Sequence, residues 1–328
     1  MHAMMKNSSR IFLRVFFITI FLLLYPALVI HVDAQPVKGA YEKKTDYQKF
    51  ISPPVAYRSF PFYSINDSLD ANEIKAQVRD FSKAGFGGFY LHSRDGLLTG
   101  FLGNEWWINM NAAVEAAQES GIQAMFYDED KWPSGYAGGI IPRISEDYRA
   151  KALVRLKKET PLPAGSLILK EDTRYKYIQH TAQMGNPIFN GTCWVDLFNP
   201  EMVAKFLDVA YQPYIEKFSG KIPNYRFAIF ADEPHIHARY FDRSTPSEGI
   251  LSYSPWVARK FREMNGYDLL DKVSLLFEEK ENWREVRYQY FRAVAEQFDE
   301  SFAKQVSQYC EKNGVKFTGH FLGEDGLE

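Results

Sequence analysis

A parallel α/β fold, and within that class a (β/α)8 TIM-type barrel, is what three features of the sequence predict. From residue 54 onward, apolar runs of strand length alternate with segments of helical period, the pattern of a parallel sheet. Clusters of carboxylates and imidazoles follow these runs, at the strand ends where parallel α/β proteins bind ligands. No Gly-x-Gly-x-x-Gly or Walker-type loop follows any strand, which argues against a nucleotide-binding doubly wound sheet. A barrel needs eight strands to close, and about five are legible here. The expectation is therefore a barrel truncated after about five strands, with a small β-rich insertion at about 151–193.

The chain has 328 residues, a formal charge of −2 and 46% hydrophobic residues. That suffices for a large core, and the balanced charge gives no sign of a nucleic-acid partner. Aromatic residues make up 16%, which serves core packing first and sugar stacking second. Lys6, Arg10 and Arg14 precede an apolar run from Val15 to Ile30, and Val32-Asp-Ala34 supplies small residues for cleavage. Residues 1–34 thus read as a signal peptide, which places the protein in an exported compartment (periplasm, cell surface or medium) with no membrane association after cleavage. Cys193 and Cys310 can form one disulfide or stay as two buried thiols.

Residues 35–53 are polar, lack periodicity and read as a linker. Tyr57 to Tyr63 is expected as the first strand, although Pro61 is awkward inside one. Asp70 and Glu73 have capping-box spacing ahead of Ile74, Val78 and Phe81, and Gly85 closes that helix. Gly85 to His92 is the next strand, followed by the polar loop Ser93-Arg94-Asp95-Gly96. A helix from Asn104 places Trp107, Met110 and Val114 on one stripe, and Ile122 to Tyr127 forms the third strand. After the insertion, Asn199-Pro200 starts a helix with Val203, Phe206, Ala210, Tyr214 and Phe218 facing inward, bent at Pro213.

The run from Arg226 leads into Asp232-Glu233-Pro234, where the proline stops the strand. Residues 239–254 read as a long loop over that strand end. A helix from Pro255 to Met264 follows, and then a long one in which Val286, Tyr290, Val294, Phe298, Phe302, Val306 and Cys310 step by four. Val315 to Asp325 is the fifth strand, again ending in acid.

The polar strand ends form four groups: His92, Arg94 and Asp95; Asp128, Glu129, Asp130 and Trp132; Asp232, Glu233 and His235; His320, Glu324 and Asp325. Two opposed carboxyls beside an aromatic platform are what glycoside hydrolysis needs, one to protonate the leaving oxygen and one to activate water or attack the sugar. Asp128 to Asp130 read either as a solvated acidic turn or as a site for sugar hydroxyls or calcium. His92 and Arg94 suit substrate hydroxyls or a carboxylate, or a strand-end salt bridge. His320 is either in the mouth beside Glu324 or a core histidine. His235-Ile-His237 has metal-like spacing, but a hydrogen-bonding loop is its commoner use, and the sequence requires no metal.

Gly85-Phe-Gly-Gly-Phe-Tyr-Leu-His-Ser-Arg94, Tyr127-Asp-Glu-Asp-Lys-Trp-Pro-Ser-Gly135, Asp232-Glu-Pro234 and Gly319-His-Phe-Leu-Gly-Glu-Asp325 together resemble the barrel of glycoside hydrolase family 106, the α-L-rhamnosidases. The resemblance runs from about Pro54 to the end and is most specific at residues 127–135. It implies an exported, inverting glycosidase of plant-type oligo- or polysaccharides, with calcium as a family feature. By motif it makes Glu233 and Glu324 the catalytic carboxylates, with acid and base roles unassigned. The strand-end reading makes His92, Arg94, Asp128, Asp130, Trp132, Asp232, His235, His320 and Asp325 the expected substrate-binding set, and Glu324 joins it if the second catalytic carboxylate lies beyond residue 328. Family members are longer, so the remaining barrel half and β-rich domains are expected beyond this stretch. The competing readings are a retaining β-glycosidase, a metal-dependent barrel hydrolase resting on His235 and His237, and an inactive carbohydrate-binding fragment.

Overall fold

The computed structural model describes residues 46–223, 226–236 and 247–322. The expected signal peptide, His237, Glu324 and Asp325 lie outside the described residues. Residues up to Ser52 form a unit of their own, whose described part is the helix Asp46–Ile51 within the expected linker. The second unit starts at Pro53 and holds everything that follows.

Five strands build its main sheet: β1 (Phe62–Asp67), β2 (Gly88–Leu97), β3 (Gln123–Tyr127), β7 (Ala228–Asp232) and β9 (Lys316–His320). They lie side by side in chain order, and every neighbouring pair is parallel. Each helical crossover therefore advances the chain by one strand in a constant direction, as barrel topology requires. Among the described residues β1 and β9 are the sheet's edges. The first strand lies later than expected. Its ladder begins just after Pro61, since a proline has no N–H to give and is tolerated at a strand's start. β2 runs past His92 through Arg94 and Asp95 to Leu97, so the expected polar loop is strand.

Alternation along the strands divides the sheet into two faces. Phe89, Leu91, Phe126 and Ile229 are buried against the helices, where they meet Val78, Met110, Val114, Phe206 and Phe218. Phe126 is central, with ring centroids 4.7 Å from Tyr214 and 4.8 Å from Phe218. Truncating such a ring to alanine costs about 3–5 kcal/mol. Asp70 caps the helix Ala71–Lys83 by accepting from the amides of Asn72 and Glu73. In the helix Asn104–Glu119 the fully buried tryptophan is Trp106, with Trp107 half-buried.

Both long helical segments contain a wide turn. Residues Leu207–Tyr211 are π-helical, and Pro213 falls in the first turn of the helix Gln212–Phe218. The fixed φ of proline suits a helix start, and the missing N–H is not needed there. Asp299–Ala303 is likewise π-helical between Trp283–Phe298 and Lys304–Lys312. Steps of four overshoot an α-helical turn of 3.6 residues, and the wide turn takes up part of that drift.

The insertion is larger than residues 151–193. β4 (Lys151–Lys157), β5 (Ser166–Glu171) and β6 (Tyr175–Thr181) form an antiparallel sheet that gains β8 (Gly249–Tyr253) as a fourth strand, pairing Arg155 with Gly249. The long loop expected over 239–254 thus contains a strand. Its partner lies nearly a hundred residues away, so no turn signal announces the pairing. A second core joins this sheet to the helices Pro255–Asn265 and Trp283–Phe298 through Leu153, Tyr177, Val257, Phe261 and Tyr290. Cys193 and Cys310 are free and buried. No helix among the described residues is long and apolar enough to cross a membrane.

Candidate active site

The carboxyl ends of β2, β3, β7 and β9 bring together His92, Arg94, Tyr127, Asp232, Glu233 and His320. Register explains the convergence, because Asp232 pairs with His320 across β7 and β9. Gly319 allows that pairing at close quarters: it has φ +145°, and a Cβ there would lie 2.0 Å from the Ala231 carbonyl oxygen. Only glycine tolerates both conditions.

Asp232 is the hub. Its Oδ1 lies 2.9 Å from His320 Nε2, and its Oδ2 lies 3.3 Å from His92 Nε2. Tyr127 donates its hydroxyl to Oδ2 at 3.2 Å, and an Arg94 guanidinium nitrogen stands 3.9 Å away. Burial alone would raise this carboxyl. The hydrogen bonds and charges of His92 and His320 outweigh it and hold Asp232 below the ordinary carboxylate range. A carboxylate with this many donors is committed to orienting its neighbours.

Glu233 behaves differently. Strand alternation would send its side chain to the face opposite Asp232. Instead its backbone takes φ +76°, a left-handed conformation that is costly for a residue with a Cβ. The turn is held by its amide, which donates to the His320 carbonyl at 3.0 Å. As a result Oε2 accepts from Trp132 Nε1 at 2.5 Å, and Oε1 lies 3.9 Å from His320 Nδ1. His320 thus stands between two carboxyls, its Nε2 on Asp232 and its Nδ1 toward Glu233. That arrangement can hold a proton at the Glu233 end or steady a negative charge there.

The β3 end was expected to offer Asp128, Glu129 and Asp130 outward, and the structure corrects this. Asp128 is fully buried, accepting from Ser134 Oγ at 2.5 Å and Tyr211 hydroxyl at 2.7 Å. Burial pushes its carboxyl up to about 7, against those two hydrogen bonds. Ser134 also accepts from the Asp232 amide at 2.8 Å, so Asp128 braces the site from behind without facing a ligand.

Glu129 is also fully buried. Its Oε2 accepts from the amides of Gly135, Tyr136 and Ala137, and its Oε1 from those of Asp130 and Gly138. Burial raises this carboxyl, and the five amides oppose that. Every partner is a donor, so a proton on Glu129 would find no acceptor among them. Asp130 is half-buried and accepts from the Asn190 side-chain amide at 2.6 Å, tying the turn to the insertion. His235, expected to meet substrate, is buried; its ring stacks on Trp194 at 4.6 Å and 12°, with Trp132 at 6.3 Å on another side.

Sequence reasoning missed Tyr127, Ser134 and Tyr211. Tyr127 could have been found, because it is the last residue of a predicted strand and its hydroxyl has to end near the strand mouth. Tyr211 could not, since its contact with Asp128 joins residues far apart in the chain.

Asp232, Glu233 and His320 each present a ligand atom within 4.8 Å of the others. Calcium prefers six to eight oxygens, whereas this trio includes a nitrogen and an Asp232 already taken by three donors. The described residues do not fit calcium.

No family model matches the chain, and no curated protein does. Among solved structures it is similar to a rhamnosidase from Novosphingobium sp. PP1Y, at 10% identity and a TM-score of 0.54, over 86% of this chain and 47% of that one. A β-galactosidase from the Antarctic haloarchaeon Halorubrum lacusprofundi matches at 10% identity and a TM-score of 0.32, over 81% and 37%, which is too slight to carry an argument. The fold is similar to part of that rhamnosidase's, and the chain spans about half its length.

Proposed function

We propose that this chain carries the acid end of an exported glycoside hydrolase that cleaves α-L-rhamnosides or related deoxy-sugar linkages with inversion. The observation that carries the reading is Glu233, whose left-handed backbone turns its carboxyl out of the strand toward His320 and Trp132. In the proposed reaction Glu233 gives its proton to the glycosidic oxygen as the C–O bond breaks. Water attacks the sugar carbon from the other side and passes its proton to a second carboxylate. Glu324 is proposed for that role by motif. His92, Arg94 and His320, fixed by Asp232, would meet the sugar hydroxyls. The longer protein would close the barrel and add the β-rich domains. The rhamnosidase similarity supports the fold, and the sugar rests on the motif resemblance.

The test is hydrolysis of an aryl α-L-rhamnoside by the full-length exported protein, beside Glu233→Gln and Glu324→Gln. A loss of at least about a thousandfold in both variants supports two catalytic carboxylates. If only Glu233→Gln is dead, the partner lies elsewhere in the protein. Cleavage of other glycosides but not this one removes the rhamnoside assignment, and no glycoside cleavage leaves a binding role.

A further inference from the structure

A cleft of about 460 Å³ adjoins the strand-end cluster, lined by Arg94, Asp95, Lys131, Trp132, Pro187 and Ile188. One wall is the end of β2 with Arg94 and Asp95, a second is the turn after β3 with Lys131 and Trp132, and the third, Pro187-Ile188, comes from the insertion. Trp132 is the partition, since it lines the cleft and its Nε1 holds Glu233. A sugar cleaved against Glu233 and Asp232 would therefore leave its neighbour in this cleft. We infer that the cleft is the adjoining sugar subsite of the proposed hydrolase, and that it takes a sugar bearing a carboxylate. The inference rests on the glycosidase reading and adds the chemistry of the second sugar.

Three features argue for it. The walls combine an indole and an exposed isoleucine, apolar surfaces that suit the face of a pyranose ring. Arg94 is held from one side by Asp232 yet keeps 48% of its side chain exposed, so its planar fork can meet a carboxylate. Lys131 is 3.4 Å from Asp95, whose side chain is 92% exposed. Lys131 itself is 27% exposed, but a pair with so solvated a partner is weak, and Lys131 can exchange it for a ligand. The nearby Asp130 is already engaged by Asn190.

The experiment compares the full-length protein on two disaccharides, rhamnose linked to a uronic acid and the same compound as its methyl ester. The ester keeps the shape and removes the charge. Wild type is expected to favour the acid by at least about tenfold in kcat/KM, mostly through KM, and less so at high salt. Lys131→Gln should bring that ratio toward one, and Lys131→Arg should restore it. If both compounds are cleaved alike, or Lys131→Gln leaves the preference intact, the inference falls while the glycosidase reading stands. If neither is cleaved, titration of Glu233→Gln with a uronic-acid oligosaccharide and a neutral one decides. Selective binding that Lys131→Gln abolishes supports the subsite without the catalytic reading, and no selectivity overturns it. Tighter binding of a sulfated sugar overturns the carboxylate assignment.

Discussion

At the end of β3, Asp128 and Glu129 turn into the protein, whereas at the end of β7 Glu233 turns back toward the open mouth of the sheet. Both places read Asp-Glu after an apolar strand. Glu129 is consumed by five amides of its own loop, and Glu233 meets one indole N–H and the flank of a histidine. The backbone makes the difference. Residues 135–138 curl so that successive N–H groups point at Glu129, a nest that favours an anion. Glu233 instead bears a strained φ and leaves an oxygen turned toward His320. One acid stabilises the wall of the site, and the other presents its carboxyl to the mouth of the sheet.

The sharpest way to break this contrast is to swap charge for amide at each position. Glu233→Gln should lower glycoside hydrolysis by at least about a thousandfold while the melting temperature stays within a few degrees. A variant that melts early with its remaining activity intact would make Glu233 structural. Glu129→Gln should do the reverse, because either orientation of its NH2 group confronts two or three amide donors. With buried donors left unpaired at about 1–3 kcal/mol each, a destabilisation of about 4 kcal/mol or more is expected in denaturant melts. Full stability in that variant would undo the account of the loop.

Asp128 sharpens the comparison through pH. Its folded pKa is raised to about 7, so the stability tied to its proton is present below the unfolded value near 4 and is lost as pH rises through 7. Asp128→Asn should therefore flatten the fall in stability between about pH 4 and 7, by an amount on the order of 4 kcal/mol, read from urea melts across that range. An unchanged slope would mean that Asp128 is ionised throughout. The smallest effect is expected at Trp132→Phe, which keeps a ring and removes the N–H held to Glu233. Loss of that single bond, worth about 1–2 kcal/mol, should lower kcat about tenfold and shift the alkaline limb of its pH profile, which the acid sets. A profile that keeps its shape would make Trp132 a wall and nothing more.

The alternation of strands and helices was plain in the chain, because burying a parallel strand on both faces demands an apolar run and each crossover demands an amphipathic helix. Phe89, Phe126 and Ile229 were placed that way, and so was the arrival of Asp232 and Glu233 at a strand's carboxyl end. The caps at Asp70 and Asn199, the latter with Pro200 in the first turn, were equally legible, since each acts through neighbouring residues.

Other features depend on partners distant in sequence. β8 forms because Gly249–Tyr253 finds β4, and the inward turn of Asp128 depends on Tyr211, which lies 83 positions further along the chain. Local pattern also makes an acid at a strand end look the same whether amides or a ligand will take it. The choice between them at Glu129 and Glu233 was made by backbone dihedrals and by His320, brought beside Asp232 through the register of β7 and β9. Residue type set the chemistry available at the sheet mouth, and three-dimensional packing selected which carboxyl is free to use it.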